Sequence, residues 1–540
     1  MKDISSTGSF IDFTLENFIY VDKTEYIYNL LSNEARVFIS RPRRFGKSLT
    51  LDTIGTLFEK GVEPFFKGTW IYDKWTEPAY PVFRLSFLNL DNSSLDLFKK
   101  QLNSIISEFA NKICVKGYVE KTEPEDTILS LLEKLQEETR QIVILIDEYD
   151  YQLTSNINNE ALYKQFQIEL QNIYNNLKDK WAIKFLLITG VTRTKNSSVF
   201  SGTDIKDITN YSPYSQMIGF TRDEIKKYYI DYLKLAASYE NNCAVDEVTD
   251  NKLESMLDKL EEQYGGYCFD EDYEKKVINT WSVNEFFQSV LNNGFVYFDE
   301  YWYDNGGLPS ILVNYLKTHE LNIFDYLDKN KCLKVTDDDF KNPTALTSMN
   351  QNVLMCQTGY LTLRSSLNDS NIIALGIPNG EIYKALNKLL AAKFFKGKID
   401  VTNDANENIL DVGSVEDIIS LLNTMVNTVT YDTYPLNSES AVQNYVKAYL
   451  LGAKQNVSSE VHHAKGRADL MIETNKRRIV IEFKYANNET EAKAKLSEAE
   501  EQIKTRDYGN IVPKKAELLR IAAVFNADPK VRAFTLFQQV

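Results

Sequence analysis

Short apolar runs alternate with amphipathic segments along the first 220 residues of the chain. The apolar runs predict buried strands, and they are RVFIS (residues 36–40), VFRLSF (82–87), IVILI (142–146) and FLLIT (185–189). Between them, apolar side chains recur at helical spacing over residues 95–109 and 162–177. Strands that alternate with helices indicate a mostly parallel sheet with helices on both faces.

The pattern changes twice after residue 220. Residues 221–391 have mainly helical spacing, as in YYIDYLKLAASY and LESMLDKLEEQYGGY, with a few aromatic strands between the helices. After a polar stretch, a helix near residues 440–451 precedes two strands, ADLMIET and RRIVIEFK, and a long charged helix. We therefore predict an α/β protein with three domains: residues 1–220 with the parallel sheet, residues 221–391 as a mainly helical lid or extension, and residues 392–540 as a separate α/β domain.

Composition limits the cellular setting. The purely aliphatic run at residues 142–146 is too short to cross a bilayer, and MKDISSTGSFIDF lacks the layout of a signal peptide. The 5 cysteines are scattered without a CxxC pair, which argues against a disulfide or zinc framework. We expect a cytoplasmic protein with no membrane partner.

The net charge of −15 argues against a protein that binds nucleic acid over its whole surface. Any contact with DNA or RNA would have to use a local basic patch.

The stretch ARVFISRPRRFGKSLTLD, residues 35–52, ends like a phosphate-binding loop. Such a loop needs converging backbone N–H groups, a lysine that reaches the terminal phosphates and a hydroxyl that holds Mg²⁺. Gly46, Lys47 and Ser48 supply these groups, and Leu49 lies in the same helical turn. A strand enters the loop and a helix leaves it, with its positive end toward the anion.

Arg41 replaces the first glycine of the usual GxxxxGK[ST] pattern. Arg41, Arg43 and Arg44 would either add positive charge against a triphosphate or lie on a solvated basic face. We expect partial contact with the phosphates, with Arg41 and Arg44 as the binding residues.

The letters GKS alone occur by chance, so a second element decides the prediction. IVILIDEYD is an apolar strand that ends in two acids, Asp147 and Glu148. In nucleotide hydrolases of this class the first acid lies beside Mg²⁺ and the second polarises the attacking water. We therefore predict ATP and Mg²⁺ as cofactors. Thr189, Thr192 and Arg193 follow the next strand, and they either sense the γ-phosphate or form an ordinary polar strand end.

These motifs resemble a known family. YVDKTEYIYNLL, FISRPRRFGKSLTLDTIGTLFE, VILIDEYD and VFSGTDIKDIT are similar to the signature of the AAA-ATPase-like family of bacterial and archaeal proteins. RPRRFGKS is the usual form there, so Arg41 departs from the general loop and not from the family. The resemblance continues through YGGYCF, VINTWSVNEFF, MCQTGYLTL and GIPNGEI, and it covers nearly the whole chain. It implies a P-loop ATPase core, a helical extension and a C-terminal PD-(D/E)XK domain with the restriction-endonuclease-like fold.

The C-terminal residues point to the same chemistry independently. In the strand RRIVIEFK, side chains alternate, so Glu482 and Lys484 share one face. If Asn475 and Lys476 form a two-residue turn, Asp469 lies directly opposite Glu482. A surface hairpin with a simple acid–lysine pair is the alternative interpretation.

Two adjacent carboxylates repel each other unless a cation lies between them, and Mg²⁺ or Mn²⁺ suits oxygen ligands. We predict that Asp469 and Glu482 bind this metal and that Lys484 orients or deprotonates the attacking water. This is the D…ExK arrangement of restriction-like nucleases.

Two supporting groups are also predicted. AEEQIKTRDYG resembles the QxxxY helix of that superfamily with a stretched spacing, so Gln502 would support the site. Glu439 or Glu460 would add an outer carboxylate, and the sequence does not choose between them.

A basic patch surrounds these residues. From residue 461 to residue 484 there are six Lys or Arg and three Asp or Glu, a local net charge of +3 where a phosphate backbone could dock. His462 and His463 would face opposite sides of a strand, which makes them a poor metal pair.

The predicted function is ATP binding and hydrolysis coupled to a metal-dependent nuclease acting on nucleic acid, with DNA favoured over RNA. Defence against foreign DNA is one setting that fits. The alternative is a nucleotide-switched binding or assembly factor whose nuclease-like domain does not cut. A third possibility is a structural relic in which neither site works. Assembly into a homo-oligomer is left open.

Overall fold

The computed structural model describes residues 1–194, 204–302, 310–319, 325–326, 329–343, 345–367, 371–394, 409–427, 435–452, 456–463, 466–474, 476–510 and 517–540. The chain divides into two compact units. The first comprises Met1–Leu321 and Cys332–Ile382, and the second comprises Asn322–Lys331 and Tyr383–Val540. Within the described ranges, no helix combines the length and apolar character needed to span a membrane.

Helices form a large part of the first unit. They are α1 Phe10–Leu15, α2 Thr24–Asn33, α3 Lys47–Lys60, α4 Leu95–Lys112, α5 Pro124–Glu137, α6 Tyr151–Ser155, α7 Glu160–Leu177, α8 Arg222–Tyr228, α9 Ile230–Glu240, α10 Asp250–Tyr264, α11 Thr280–Asn293, α12 Ser310–Thr318, α13 Asp337–Lys341 and α14 Gln351–Gln357. Helix α15, Gly380–Phe394, begins in this unit.

The main sheet of the first unit is parallel throughout and has the strand order β2-β3-β4-β1-β5. Its strands are β1 Arg36–Ser40, β2 Val82–Ser86, β3 Ile142–Asp147, β4 Ile183–Gly190 and β5 Lys206–Asp207. The four predicted strands are confirmed, with small shifts at their ends. The short edge strand β5 was not predicted, since its two residues carry no apolar pattern.

The sheet order explains where a site can form. Strands β3, β4 and β1 are neighbours, and their carboxyl ends meet at one edge of the sheet. Strand β3 is buried up to Ile146, whereas Asp147 is half-buried where the strand leaves the core. In open parallel sheets, ligands bind outside these carboxyl ends.

The part of the first unit that follows residue 220, here called the middle segment, combines helices with small sheets. Apolar residues of α8 to α11 form one core, which also includes Ile4, Ile19 and Val21 from the N-terminal segment. The small sheets are formed by β6 Tyr267–Cys268, β7 Lys276–Val277, β8 Leu333–Thr336, β9 Thr362–Leu367 and β10 Ile372–Gly376. The N-terminus of the chain is therefore part of the middle segment's core.

The second unit has a mixed sheet with the order β11-β12-β13-β14-β15, in which β13 and β14 are parallel and the other pairs are antiparallel. The strands are β11 Asn456–His463, β12 Gly466–Glu473, β13 Arg477–Ala486, β14 Glu517–Asn526 and β15 Ala533–Gln539. The helices are α16 Val415–Asn427, α17 Glu439–Gly452 and α18 Glu489–Arg506. The predicted helix, two strands and charged helix are confirmed, and so is the α/β fold class.

Helix α18 connects the two parallel strands and packs on one face of the sheet. Its buried residues are small or single apolar side chains, Ala492, Ala499 and Ile503. Val480 of β13 belongs to the same core as Ala499 and Ile503, so the face of β13 that carries Val480 lies under the helix.

Candidate active sites

The loop between β1 and α3 has the backbone of an anion site. Gly46 precedes the first residue of α3 with φ +99°, a conformation that glycine adopts without steric cost. Arg44 also has a positive φ, +69°. The first N–H groups of a helix lack partners within it, so the start of α3 can bind a phosphate.

Lys47 lies across this loop. Its Nζ donates to the backbone oxygens of Arg41 and Pro42, at 2.9 Å each. The side chain is buried, and burial lowers the pKa of Lys47, while Asp147 and Glu148 act in the opposite direction. The ammonium is therefore held at the centre of the loop and beside two acids.

Three predicted residues meet at the end of β3. Ser48 Oγ donates to Oδ2 of Asp147 at 2.6 Å, and Thr189 Oγ1 donates to Oδ1 of the same carboxylate. The backbone N–H of Glu148 also donates to Oδ1, at 2.9 Å. A hydroxyl and a carboxylate at this separation are oxygen ligands of the kind Mg²⁺ takes beside a nucleotide.

Glu148 follows with a left-handed backbone, φ +51°. Burial, and next the neighbouring Asp147, raise the pKa of the Glu148 carboxyl. Its side chain lines the cavity above the loop. A carboxylate with a raised pKa is a stronger base, which suits it to act as a general base.

That cavity has a volume of about 520 Å³, within the range of small-molecule sites. The predicted residues Arg44, Gly46, Lys47, Ser48 and Leu49 all line it. Part of the wall was not predicted and comes from distant segments: Ser5, Ser6, Thr7, Gly8, Tyr20, Met217, Gly219, Phe220, Thr280, Trp281 and Asn284.

Arg41 has a different role from the one that its position in the loop suggested. Its side chain is 1% exposed and does not line the cavity. Nη1 donates to the backbone oxygens of Ser40 at 2.9 Å and Thr209 at 2.6 Å, and the guanidinium lies 4.3 Å from the Phe269 ring centroid. Burial lowers its pKa to about 9. We therefore correct the predicted phosphate contact of Arg41 to a structural role beneath the loop.

Arg44 lines the cavity above the loop, and its predicted phosphate contact stays a prediction. Its guanidinium is exposed and stands over the Trp281 ring, 3.9 Å from the centroid. Thr192 and Arg193 have other partners. Thr192 Oγ1 donates to Asp150 at 2.6 Å, and the Arg193 guanidinium contacts Asp207, Asn210 and the Phe340 carbonyl. Of the three candidates at the end of β4 and just beyond it, only Thr189 contacts Asp147, the acid at the end of β3.

The register predicted for the C-terminal hairpin is confirmed. Leu470 pairs with Ile481 and Met471 pairs with Val480. The same register, continued by one residue, places Asp469 beside Glu482. Asp469 Oδ2 accepts a hydrogen bond from the Phe483 backbone N–H at 2.9 Å. The turn residue Asn475 lies outside the described residues.

Glu482 is buried, and only one of its two carboxylate oxygens has a hydrogen-bond partner among the described residues. It is 3% exposed, and burial, followed by the charge of Asp469, raises its pKa to about 7. Oε1 accepts from Lys484 Nζ at 3.3 Å, whereas Oε2 is buried without a hydrogen-bond partner among the described residues. Lys484 is also buried, and its Nζ lies 3.7 Å from Glu439 Oε1.

Gln502 of α18 presents a second unpaired acceptor. Its Oε1 is buried and has no hydrogen-bond partner within the described ranges. Glu482 and Gln502 thus each present an oxygen that has no hydrogen-bond partner among the described residues. With the Asp469 carboxylate, they form an oxygen donor set of the kind that a hard divalent cation takes.

Of the two candidates for the outer carboxylate, the structure describes the side chain of Glu439 but not that of Glu460. Glu439 approaches Lys484, while the side chains of Glu460, His462 and His463 lie outside the described residues.

Sequence reasoning missed Arg506, whose Nη1 donates to Tyr508 Oη at 2.9 Å. The i,i+4 spacing between Gln502 and Arg506 was the available signal, because it places both on one helix face.

Another acidic group, Glu123, Glu125 and Glu169, has carboxylate oxygens within 4.8 Å of one another. Lys99 Nζ already lies 2.6 Å from Glu123 and 2.9 Å from Glu169. A protein cation therefore occupies this group, and we assign it no ligand.

Together, these features define the class of protein. A parallel sheet with a GKS loop after one strand and an acid after a neighbouring strand is the architecture of a P-loop nucleotide hydrolase. A mixed sheet whose hairpin carries Asp469, Glu482 and Lys484 is the architecture of a restriction-endonuclease-like domain.

Comparison with protein families agrees with both assignments. Residues 5–200 match the family described as predicted AAA-ATPase, and residues 437–534 match the PD-(D/E)XK nuclease superfamily. The predicted combination of an AAA-ATPase-like region with a C-terminal PD-(D/E)XK region is confirmed.

One relative spans almost the whole chain. An uncharacterized protein from the vnfD 5′ region of Azotobacter chroococcum mcd 1 is 24% identical over 534 residues, which cover 95% of this chain and 94% of the relative. Among solved structures, Cdc6p from Pyrobaculum aerophilum is 12% identical, with 68% of this chain and 92% of that chain covered and a TM-score of 0.21. The Aeropyrum pernix ORC2 protein is 11% identical, with 69% and 92% covered and a TM-score of 0.24. Scores this low support no functional argument.

Proposed function

We propose that the chain binds and hydrolyses ATP at the GKS loop and cleaves phosphodiester bonds of nucleic acid, with DNA favoured, at the C-terminal hairpin. The observation that carries the second activity is the buried Glu482 beside Asp469, with Oε2 unpaired among the described residues. Burying a carboxylate in this way costs free energy unless a ligand compensates it. A nuclease metal is the ligand that this donor set suits.

In the ATP site, each residue has one task. The N–H groups at the start of α3 and the Lys47 ammonium would bind the β- and γ-phosphates. Ser48 and Asp147 would hold Mg²⁺, which offsets charge on the transferred phosphoryl group. Glu148 would accept a proton from the attacking water, in keeping with its raised pKa.

In the nuclease site, Asp469 and Glu482 would hold Mg²⁺ or Mn²⁺, which lowers the pKa of a bound water. Lys484 is held between Glu482 and Glu439 and would orient that water or take its proton.

The basic patch expected from the sequence is not a surface patch among the described residues, because Arg477, Arg478 and Lys484 are buried. Attraction of a phosphate backbone would therefore rest on the exposed Lys476 and on Lys465 and Arg467, whose side chains lie outside the described residues.

We further propose that nucleotide turnover regulates cleavage, as in a defence nuclease that must stay silent until foreign DNA is present. The test is cleavage of plasmid DNA by the full chain in Mg²⁺, with and without ATP. Asp469→Asn and Glu482→Gln should abolish cleavage and leave ATP hydrolysis intact, whereas Lys47→Ala should abolish hydrolysis. Glu489→Gln, an exposed acid at the start of α18, is the matched control. Cleavage unchanged by Asp469→Asn would refute the nuclease assignment.

The net charge of −15 favours a second candidate, a nucleotide-switched assembly factor whose C-terminal domain binds without cutting. That function predicts ATP-dependent change of oligomeric state and no hydrolysis of DNA or RNA in Mg²⁺ or Mn²⁺. Light scattering of the full chain with ATP and with ADP, run beside the cleavage assay, distinguishes the two.

A further inference from the structure

The middle segment of the first unit contacts the phosphate-binding loop through two hydrogen bonds and an aromatic contact. Thr280 Oγ1 donates to the Arg44 backbone oxygen at 2.9 Å, and Trp302 Nε1 donates to the Arg43 backbone oxygen at 3.1 Å. Phe45 packs edge-on against Tyr267, with ring centroids 4.8 Å apart. Three successive loop residues are therefore contacted by residues more than 200 positions away in the chain.

The Arg44 side chain continues this contact. Its guanidinium lies 3.9 Å from the centroid of the Trp281 ring, and Trp281 follows Thr280 in the first turn of α11. Both Arg44 and Trp281 line the nucleotide cavity. A guanidinium over an aromatic face keeps its N–H donors in its own plane, directed sideways rather than into the ring.

The residues that contact the loop belong to one hydrogen-bonded unit. The buried carboxylate of Glu381 accepts from the Trp302 backbone N–H at 2.7 Å and from Ser282 Oγ at 2.8 Å. Ser282 follows Trp281 directly, and its backbone N–H is capped by Asn279 at 3.0 Å. A displacement of α11 would therefore be transmitted through Glu381 to Trp302, and the reverse also holds.

The backbone of Arg44 gives this contact a specific purpose. A non-glycine residue at φ +69° is unfavourable, so the surrounding contacts must hold it. The Thr280 hydrogen bond and the Trp281 ring hold its carbonyl and its side chain, respectively. They fix the direction in which the guanidinium enters the cavity.

We propose that Trp281 is a positioning residue that holds the Arg44 guanidinium in place to bind the γ-phosphate of the nucleotide. Helix α11 would in this way distinguish a triphosphate from a diphosphate. This inference rests on the proposed ATP site. It assigns the middle segment a function, because its contacts with the loop would differ between the ATP-bound and ADP-bound states. A γ-phosphate would give Arg44 an anionic partner at a position that ADP leaves empty. The Arg44 guanidinium is therefore a group whose contacts would differ between the two nucleotides.

The test compares ATP and ADP affinities by calorimetry for the full chain. Trp281→Leu should weaken ATP binding by roughly 3- to 30-fold, the range expected for a lost cation–π contact, and should leave ADP binding within about twofold. Arg44→Ala should have the same selectivity, and adding Trp281→Leu to Arg44→Ala should cost nothing further. Trp181→Leu is the matched control, because Trp181 is 47% exposed and does not line the cavity.

A second readout is independent of affinity. If Trp281 senses the nucleotide, ATP should change the tryptophan fluorescence of the wild type more than ADP does. Trp281→Phe should reduce that difference while retaining a ring and the fold, and what remains would come from Trp302, which is coupled to α11 through Glu381. Equal loss of ATP and ADP affinity in Trp281→Leu, or a fluorescence difference of unchanged size in Trp281→Phe, would overturn the inference alone. A wild type that binds neither nucleotide would refute the ATP site itself.

Discussion

Ser48 and Asp147 are joined by a 2.6 Å hydrogen bond across 99 positions of sequence. The bond connects the first turn of α3 to the end of β3, and it exists because β1 and β3 flank β4 in one parallel sheet. Asp147 also accepts from Thr189, the penultimate residue of β4. Three adjacent strands thus contribute to one site through one carboxylate.

Glu148 should separate binding from hydrolysis. We expect Glu148→Gln to retain ATP affinity, because the groups that bind the phosphates are unchanged. The rate of hydrolysis should fall by roughly 10²- to 10⁴-fold, because the variant lacks the general base. Phosphate release under saturating ATP measures the rate, and calorimetry measures the affinity.

The same residue predicts a pH dependence. Burial and Asp147 raise the pKa of Glu148, and only its ionised form accepts a proton. Hydrolysis should therefore rise with pH through a midpoint above that of an ordinary glutamate, and the residual activity of Glu148→Gln should lack this rise. A midpoint at the ordinary value would contradict the assignment.

Arg41 should be required for stability rather than for affinity. Arg41→Ala leaves the carbonyls of Thr209 and Ser215 without the donor that they have in the wild type. We expect a loss of roughly 3 kcal/mol in the free energy of unfolding, with ATP affinity preserved where the protein is folded. Urea unfolding followed by tryptophan fluorescence is suitable, because all 5 tryptophans lie in the first unit.

Arg44→Ala is the comparison variant for this prediction. It should lower ATP affinity and change the free energy of unfolding little, since Arg44 is exposed. The opposite pattern, in which Arg41→Ala loses affinity at unchanged stability, would restore the phosphate contact that the sequence suggested for Arg41.

Local patterns explain why much of the fold was predictable. RVFIS and IVILI are continuous apolar runs, as expected of parallel strands covered on both faces, and they formed β1 and most of β3. In the hairpin, a two-residue turn sets every cross-strand pair, so the approach of Asp469 to Glu482 followed from the position of the turn alone.

Long-range contacts explain what was missed. The letters RPRR do not reveal which arginine is buried, because the acceptor of Arg41 on Thr209 lies 168 positions away. The contact of Thr280 with Arg44 spans 236 positions, and no periodicity in either segment encodes it. Burial of Glu482 beneath α18 likewise depends on the packing of a helix that follows it in sequence.

Glu439 should tune the nuclease through Lys484. Glu439→Gln removes the charge 3.7 Å from Lys484 Nζ, and we expect plasmid cleavage to fall by roughly 10- to 100-fold, the usual cost of losing a group that orients a catalytic residue. Glu489→Gln on α18 should cleave like the wild type. A large effect of Glu460→Gln together with none for Glu439→Gln would assign the outer carboxylate to β11 instead.

Glu381 should make the stability of the first unit depend on pH. Its carboxyl is fully buried, and burial raises its pKa from 4.5 to about 8, assisted by the nearby Glu300 and Asp299. Between these values the folded state keeps a proton that the unfolded state has released. The free energy of unfolding should therefore fall as pH rises from about 4.5 to about 8, by up to about 1.4 kcal/mol per pH unit.

Glu381→Gln isolates this effect, because an amide can bond to Trp302 and Ser282 without titrating. The difference in free energy of unfolding between Glu381→Gln and the wild type should move in favour of the variant as pH rises from 5 toward 8, and tryptophan fluorescence in urea measures it. Glu16→Gln, at an exposed site after α1, should show a constant difference over the same range. A constant difference for Glu381→Gln as well would mean that the carboxylate is ionised in the folded protein, with the Trp302 and Ser282 hydrogen bonds outweighing its burial.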